Sequence, residues 1–343
     1  ELTLEYLYYC YIYSGREKDA KISSDGYTPL LKEKLKIKNG IYFSDVCVGY
    51  GNVISNNDKL NKNIDVDGKE NVYGELMRRN NSSYFNLGSK INVGNRLDFY
   101  SDISGLMIQQ SKTISFNDND TTCKNPVLQG EYYLSGNILL SKGMTFSSAF
   151  HLVNYGYTTV YFEFPSAIYS KNVFKNNYLF FSSFTKEFNL FSGNIFGSYS
   201  NLNDSTQFQL GGNIIFYPLG NLNLYSGTTL TNWNQNKSHK FIVAQSVGFK
   251  VLQKLWTECS VACGDIKNYN EKNGFIVYNS PDLIKYKFGM SLLIPLKKIE
   301  ISLHYQYLFI EGNYISYTNA KDYIIQKTNY QNQSITGGIK WKL

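Results

Sequence analysis

The sequence predicts an all-β fold: a transmembrane, antiparallel, up-and-down β-barrel of sixteen strands, with fourteen as the alternative count, formed by residues 1–343 as one outer-membrane domain. Three observations support this prediction. Apolar and polar residues alternate in many segments of about ten residues, tight turns alternate with longer polar loops, and the last segment alternates up to its end. Alternation gives a strand one apolar and one polar face, which is the pattern of a membrane-spanning barrel strand.

The composition agrees with a barrel. Aromatic residues make up 16% of the chain, with 30 Tyr and 22 Phe, yet the mean hydropathy is only −0.31. Apolar runs stay well short of the roughly 18 residues that a transmembrane helix needs, whereas alternating barrel strands average out to this value. A soluble all-β sandwich or propeller is the alternative that composition leaves open.

Charge and cysteines exclude several other classes. The net charge is +7, but the lysines are scattered, so nucleic-acid binding is not expected; a positive lumen, charged rims or a merely solvated surface remain open. The five cysteines show neither metal-site spacing nor a disulfide framework, and we expect no metal and no cofactor. An apolar leader with a cleavage site is not recognisable, so an exported protein would be present here in its mature form.

The strands follow in order from the alternation and from turn signals. An aromatic-rich segment comes first, a Lys/Leu alternation second, and Asn39-Gly40 is a strong hairpin signal after it. Most of the later hairpins turn at two or three residues that include Gly or Lys, such as Gly94-Asn95 and Ser141-Lys142-Gly143. The sixteen predicted strands are 2–14, 31–38, 41–52, 84–93, 96–109, 129–140, 144–155, 178–187, 190–200, 206–217, 222–233, 239–251, 255–265, 283–294, 298–310 and 333–343.

The connections also indicate an orientation. Seven tight turns alternate with eight other, mostly longer connections, as expected for short periplasmic turns and longer extracellular loops. Both termini then lie at the rim that carries the tight turns. Of the longer loops, residues 156–176 are the ones we expect to fold inward.

In each strand the apolar side chains occupy alternate positions and so form one face, which we expect to contact lipid. The opposite face carries Gly, Ser, Asn and Gln, which suits a crowded, wet lumen. Aromatic residues towards the strand ends are interpreted as interfacial girdles; they include Trp233, Trp256, Tyr305, Tyr307 and Trp341.

Charged residues on the polar face are the candidate functional positions. They could form a selectivity constriction, or ion pairs that only brace the wall. The lumen-facing candidates are Arg96, Asp98, Asp102, Glu131, Glu258, Lys285, Lys287, Glu300, His304 and Lys340. Of these, Glu300 and His304 are four apart, about 13 Å in a strand, too far for a direct hydrogen bond. With no nucleophile or metal motif, we expect no catalytic residues and no enzyme.

The closing strand and one upstream stretch carry a family resemblance. QSITGGIKWKL (333–343) and GDIKNYNEKNGFIVYNSPD (264–282) resemble outer-membrane β-barrels of the Bacteroidota, known as families of unknown function, over about the last eighty residues. The resemblance implies a bacterial outer-membrane location, contact with membrane lipid and lipopolysaccharide, and insertion by the barrel-assembly machinery, with Gly338, Trp341 and Leu343 in the assembly signal. It also implies a TonB-dependent transporter or a surface lipoprotein as a partner.

Two functions therefore remain open. The first is a porin-like pore, or an accessory component of an outer-membrane transport complex, for small solutes. The second is a structural barrel, plugged by its own residues, that docks onto a larger outer-membrane assembly. A minor alternative is a mitochondrial-type outer-membrane channel, because residues 336–343 also satisfy that terminal signal.

Overall fold

A computed structural model describes residues 1–13, 17–38, 40–56, 73–116, 119–163, 167–235, 238–279, 282–317 and 323–343. They form three short helices and seventeen β-strands. The helices are α1 (Leu2–Tyr13), α2 (Glu17–Ser23) and α3 (Pro29–Lys34). The strands are β1 (Ile41–Ser55), β2 (Tyr73–Val93), β3 (Leu97–Phe116), β4 (Asn119–Lys124), β5 (Val127–Ser141), β6 (Met144–Glu163), β7 (Ala167–Glu187), β8 (Phe191–Ser200), β9 (Gln207–Phe216), β10 (Leu224–Gln235), β11 (Ser238–Leu252), β12 (Leu255–Ile266), β13 (Tyr269–Glu271), β14 (Ile276–Tyr278), β15 (Leu283–Pro295), β16 (Ile299–Tyr317) and β17 (Tyr323–Lys342).

The main sheet is a closed antiparallel barrel. In the described part of the chain it contains fifteen strands, and β4 pairs only with β3, so fourteen strands form the wall. The barrel closes where β1 pairs with β17, from Asp45 opposite Lys342 to Ser55 opposite Asn332. The prediction of a closed antiparallel barrel is confirmed, and the closing segment is the predicted one.

The main count of sixteen strands is wrong, and the alternative count of fourteen fits. The first predicted strand, 2–14, is helical where the structure describes it; of the second, 31–38, residues 31–34 belong to α3 and residues 35–38 are in no strand. Thr28 caps α3 by accepting a hydrogen bond from the Leu31 amide at 3.3 Å, and Pro29 occupies the first turn. These are ordinary helix-start signals, and they outweigh a Lys/Leu alternation of eight residues. The expected Asn39-Gly40 turn lies partly outside the described residues, since Asn39 is not among them.

The wall strands present apolar side chains outward and polar ones inward. On β9, Leu210 and Ile214 are 57% and 62% exposed, whereas Gln207 and Gln209 are almost fully buried. In a soluble sandwich the apolar set would be the buried one. This inversion is the arrangement of a barrel whose outer surface faces lipid.

Two expectations about particular segments are wrong. Neither Trp233 nor Trp256 is part of an interfacial girdle. Trp233 is 2% exposed and its indole N–H donates to the Gln207 side chain at 3.0 Å inside the barrel, and Trp256 borders an internal cavity together with Glu258. Residues 156–176 do not fold inward where they are described, because β6 and β7 continue pairing from Tyr155 opposite Lys175 to Glu163 opposite Ala167. Strands of about twenty residues exceed the roughly 9–11 that span a bilayer, so this pair extends beyond the membrane.

The helices lie at the rim that carries the tight turns. Residues 1–13 and 17–38, here called the N-terminal segment, contact the β2–β3 and β5–β6 turns. Of the helices that the structure describes, none is both long enough and apolar enough to cross a membrane.

Candidate functional site inside the barrel

The connection between β12 and β15 forms a hairpin inside the barrel. Strands β13 and β14 pair from Tyr269 opposite Tyr278 to Glu271 opposite Ile276. Between them, Lys272, Asn273 and Gly274 all have positive φ values. Asn and Gly tolerate this backbone region better than other residues, so the sequence permits a tight tip. We call residues 269–278 the internal hairpin.

Hydrogen bonds to opposite parts of the wall show that this hairpin lies in the lumen. It contacts β5 through Tyr133, whose hydroxyl donates to the Asn273 carbonyl at 3.1 Å, and β8 through Ser198, which accepts from the Asn270 amide at 2.9 Å. It contacts β16 through Gln306, which donates to the Tyr278 hydroxyl at 2.9 Å. A segment bonded to strands around a closed wall must be enclosed by it.

The tip of the hairpin is held by His151 on β6. Its Nδ1 lies 2.8 Å from the Gly274 carbonyl oxygen, and its Nε2 lies 3.0 Å from Oε2 of Glu131. A carbonyl oxygen can only accept, so Nδ1 carries a proton. Gly274 fits tightly, since a Cβ there would lie 2.5 Å from Cδ2 of Leu179. The tip therefore packs closely against the wall at His151 and Leu179, and we call this contact the hairpin seat.

The hairpin is also held by an ion pair between Glu271, which directly precedes the tip, and Lys287 of β15. The Lys287 ammonium also lies 5.1 Å from the centre of the Tyr278 ring. Burial alone would raise the pKa of Glu271, but attraction to Lys287 and hydrogen bonds from Lys287 and Tyr278 outweigh burial and hold this pKa below its ordinary value. The hairpin is thus held to the wall by an ionised carboxylate on Glu271 and the ammonium group of Lys287.

At the other end, the N-terminal segment is bound to the tight-turn rim. Asp19 accepts a hydrogen bond from the Gly143 amide at 2.7 Å, and Asp25 pairs with Nη2 of Arg96 at 3.0 Å. Burial of Asp25 opposes ionisation, but hydrogen bonds from Asn95 and Arg96 outweigh it and hold the pKa of Asp25 below its ordinary value. This segment reaches the interior wall as well: Ile12 of α1 borders a cavity of about 990 Å³ between it and β9–β15.

The predicted charged residues on β2–β6 separate into individual pairs. Arg96 lies at the rim with Asp25, while Asp98 lies 3.7 Å from the Lys90 ammonium and accepts from Asn137 at 2.7 Å. Asp102 is 2% exposed and accepts from Tyr100 and Asn86 at 2.9 and 2.8 Å. Glu131 is the member of this set that reaches the hairpin seat, through His151.

The predicted charged residues near the C-terminus also separate. Glu300 pairs with Lys340, and Lys342 lies 3.9 Å away, near the tight-turn rim. His304 lies 2.7 Å from the Ser291 hydroxyl, and Glu258 accepts from the Tyr225 hydroxyl at 2.6 Å. A β-bulge between Ile284 and Tyr286 removes Lys285 from the row of Lys287 and places it against Glu311 instead. The structure therefore shows local pairs rather than one charged ring.

The residues assigned to the assembly signal lie in the closing strand. Gly338 stands opposite Ser302 and Gly49, and a Cβ on it would approach the Ser302 hydroxyl to 2.7 Å. Trp341 and Leu343 are more than half exposed.

The residues that sequence reasoning missed belong to the hairpin, above all Glu271 and Tyr278. Asn273-Gly274 followed by Phe-Ile-Val-Tyr is a hairpin signal, so the turn could have been found. Its inward direction could not, since the same signal occurs in extracellular hairpins.

The fold is shared with known outer-membrane barrels. No protein-family model matches the chain, and no curated protein matches its sequence. The crystal structure of a Pseudomonas aeruginosa FadL homologue is similar with a TM-score of 0.56 at 8% identity, covering 93% of each chain. Omp33 of Acinetobacter baumannii (TM-score 0.40, 9% identity, 88% of this chain and 99% of that chain) and the Pseudomonas putida toluene transporter TodX (0.36, 7%, 94% of each) are more distant. The chain thus shares an outer-membrane β-barrel fold with the FadL homologue.

Proposed function

We propose that this chain is a gated transport barrel of a bacterial outer membrane, which passes small solutes when the internal hairpin moves. The observation that carries this proposal is the position of the hairpin. It occupies the lumen, where a solute would pass, and it is joined to the wall by side-chain hydrogen bonds and an ion pair. Such contacts contribute about 0.5–3 kcal/mol each because water can replace them, so a gate built from them can open.

The polar interior supports the same function. Inward positions such as Gln207, Gln209 and Ser198 are hydrophilic, and they would line a wet passage once the hairpin withdraws. An outer-membrane setting accounts for the exposed apolar face by contact with lipid and lipopolysaccharide. We further propose insertion by the barrel-assembly machinery and, as gating partner, a TonB-dependent transporter or a surface lipoprotein.

A second candidate is a permanently plugged barrel that serves as a structural component of a larger assembly. One observation favours it: Tyr269 at the hairpin base belongs to a buried apolar cluster of the wall, and Phe275 and Val277 pack against a second one. Moving the hairpin would expose these apolar side chains to water, which is unfavourable, so both clusters oppose opening.

Planar-bilayer conductance separates the two candidates. The test variant replaces residues 269–278 by a short Gly-Ser linker, and the control shortens β4, which pairs only with β3 outside the closed wall. Gated transport predicts rare or small steps for the wild type and the control, and large stable steps for the test variant. If the test variant is as silent as the wild type while its barrel is folded, the lumen is closed by other means and the transport proposal fails.

A further inference from the structure

The cavity beside α1 has the composition of a ligand site. Its volume of about 990 Å³ is at the upper end of the usual range for small-molecule pockets, about 300–1,000 Å³. It is bordered by Ile12 of α1, by the β9–β10 turn and by inward positions of β9, β10, β11, β12 and β15. Ser291 on β15 borders it and follows Lys287 by four residues, so the cavity lies about 13 Å from the hairpin ion pair, towards the tight-turn rim.

Aromatic and apolar side chains form one wall of this cavity. The rings of Tyr217 and Tyr225 lie 6.3 Å apart, and Trp256 and Leu293 border the same space. Tyr225 lies flat across Gly248, where a Cβ would come within 2.1 Å of its ring. Glycine at position 248 thus allows the Tyr225 hydroxyl to reach Glu258 on β12, two strands away.

Two opposite charges border the cavity without pairing with each other. Among the described residues, Glu258 is in no ion pair, and one of its oxygens accepts from Tyr225. Lys250 likewise has no carboxylate partner there; its ammonium lies 4.6 Å from the centre of the Trp256 ring. Several other charged side chains of the barrel are in ion pairs, such as Glu300 with Lys340.

The register gives the separation of these two charges. Gly248 stands opposite Glu258, and Lys250 is two residues further along β11. Two steps of strand rise and one strand spacing place the Cα atoms of Lys250 and Glu258 about 8 Å apart. A ligand with an ammonium at one end and a carboxylate at the other can meet both side chains at once.

We propose that this cavity binds a small zwitterion with an apolar or aromatic body, such as a short peptide. Its ammonium lies against Glu258, its carboxylate against Lys250, and its body against Tyr217, Tyr225 and Trp256. This assignment rests on the proposed transport function, for which it names the solute class. An uncharged apolar ligand would leave both charges desolvated without partners, which is unfavourable, and a simple anion would face the Glu258 carboxylate.

Equilibrium binding to the purified full chain tests the assignment, with the dipeptide Phe-Leu as probe and calorimetry as readout. The N-acetylated and C-amidated forms of the probe each remove one charge. We expect each to bind at least about tenfold more weakly, the effect of losing one charge-assisted hydrogen bond. Glu258→Gln should abolish the discrimination against the acetylated form only, and Lys250→Gln that against the amidated form only. Lys254→Gln, in the exposed β11–β12 turn, is the matched control.

Three outcomes would overturn the proposal: no binding of Phe-Leu to the wild type, equal binding of all three probe forms, or discrimination that persists in both variants. Thermal unfolding of each variant establishes that the barrel is intact. Because the conductance of the hairpin-shortened barrel does not depend on this cavity, large steps together with absent dipeptide binding would reject the solute class and leave gated transport standing.

Discussion

The substitution Gly274→Ala should release the tip of the internal hairpin. Gly274 has φ +77°, and an added Cβ would lie 2.5 Å from Cδ2 of Leu179 and 3.4 Å from Cβ of Phe181. The left-handed backbone costs an alanine about 1–2 kcal/mol, and overpacking of a filled site costs about 1–3 kcal/mol more. The docked hairpin should therefore lose about 2–5 kcal/mol, at least about a 30-fold change in its docking equilibrium at 1.4 kcal/mol per tenfold.

Hydrogen–deuterium exchange of the hairpin amides measures this change, because exchange through local opening follows the opening equilibrium. Amides of residues 269–278 should exchange at least about 30-fold faster in the variant, with the wall strands unchanged. The matched control is Gly130→Ala on β5, where a Cβ would meet nothing within 4 Å. Equal protection of the hairpin in Gly274→Ala and in the wild type would refute the assignment of Gly274 to a tight seat.

Three further predictions concern other parts of the barrel. Lys287→Met leaves Glu271 buried without its partner, which typically costs about 3–5 kcal/mol, and exchange of the hairpin amides should accelerate accordingly. The pKa of Asp25 is lower in the folded protein than in the unfolded chain, where it is about 3.9. Ionised Asp25 therefore stabilises the docked N-terminal segment fully above the unfolded pKa, and this stabilisation is lost as pH falls through the lower folded pKa. Proteolysis of the N-terminal segment should increase only in that acid range. Gly248→Ala displaces Tyr225 and should lower stability by about 1–3 kcal/mol, measured by chemical denaturation.

Each of these predictions has an outcome that would contradict it. Restored protection in the double variant Lys287→Met, Glu271→Leu would support the ion-pair argument, and unchanged exchange in the single variant would oppose it. Asp25→Asn should show no acid-dependent step; a step that persists would assign the titration to another group. If Gly248→Ala is as stable as Gly193→Ala, whose Cβ would meet nothing within 4 Å, Tyr225 does not need the space above residue 248.

The strands and their faces were predictable because alternation is a local property. Phe208 and Leu210 alternate with Gln207 and Gln209 whatever the rest of the chain does. The pattern of tight turns excludes a sandwich only in combination with this alternation. The N-terminal error has a local cause too. Almost every residue of α1 is apolar or aromatic, so neither a period of two nor one of 3.6 stands out.

The interior of the barrel could not be predicted in the same way. Trp233 near a strand end has the same sequence signature whether it lies at a lipid interface or contacts an internal segment. The partner of Lys287 is Glu271, sixteen residues away on a connection whose direction depends on the closed wall. Pairs such as Glu300 with Lys340 follow from the register of two strands, which alternation alone does not give.

A reversible lock on the internal hairpin tests its role as a gate most directly. Asn270→Cys and Ser198→Cys replace a hydrogen-bonded pair that joins the hairpin to β8, in a background without the five native cysteines. Single-channel recordings are made on the oxidised barrel and again after reductant is added to the same membrane. We expect opening steps to be absent while the disulfide is intact and to appear on reduction. Identical steps before and after reduction would contradict the claim that this hairpin gates the lumen.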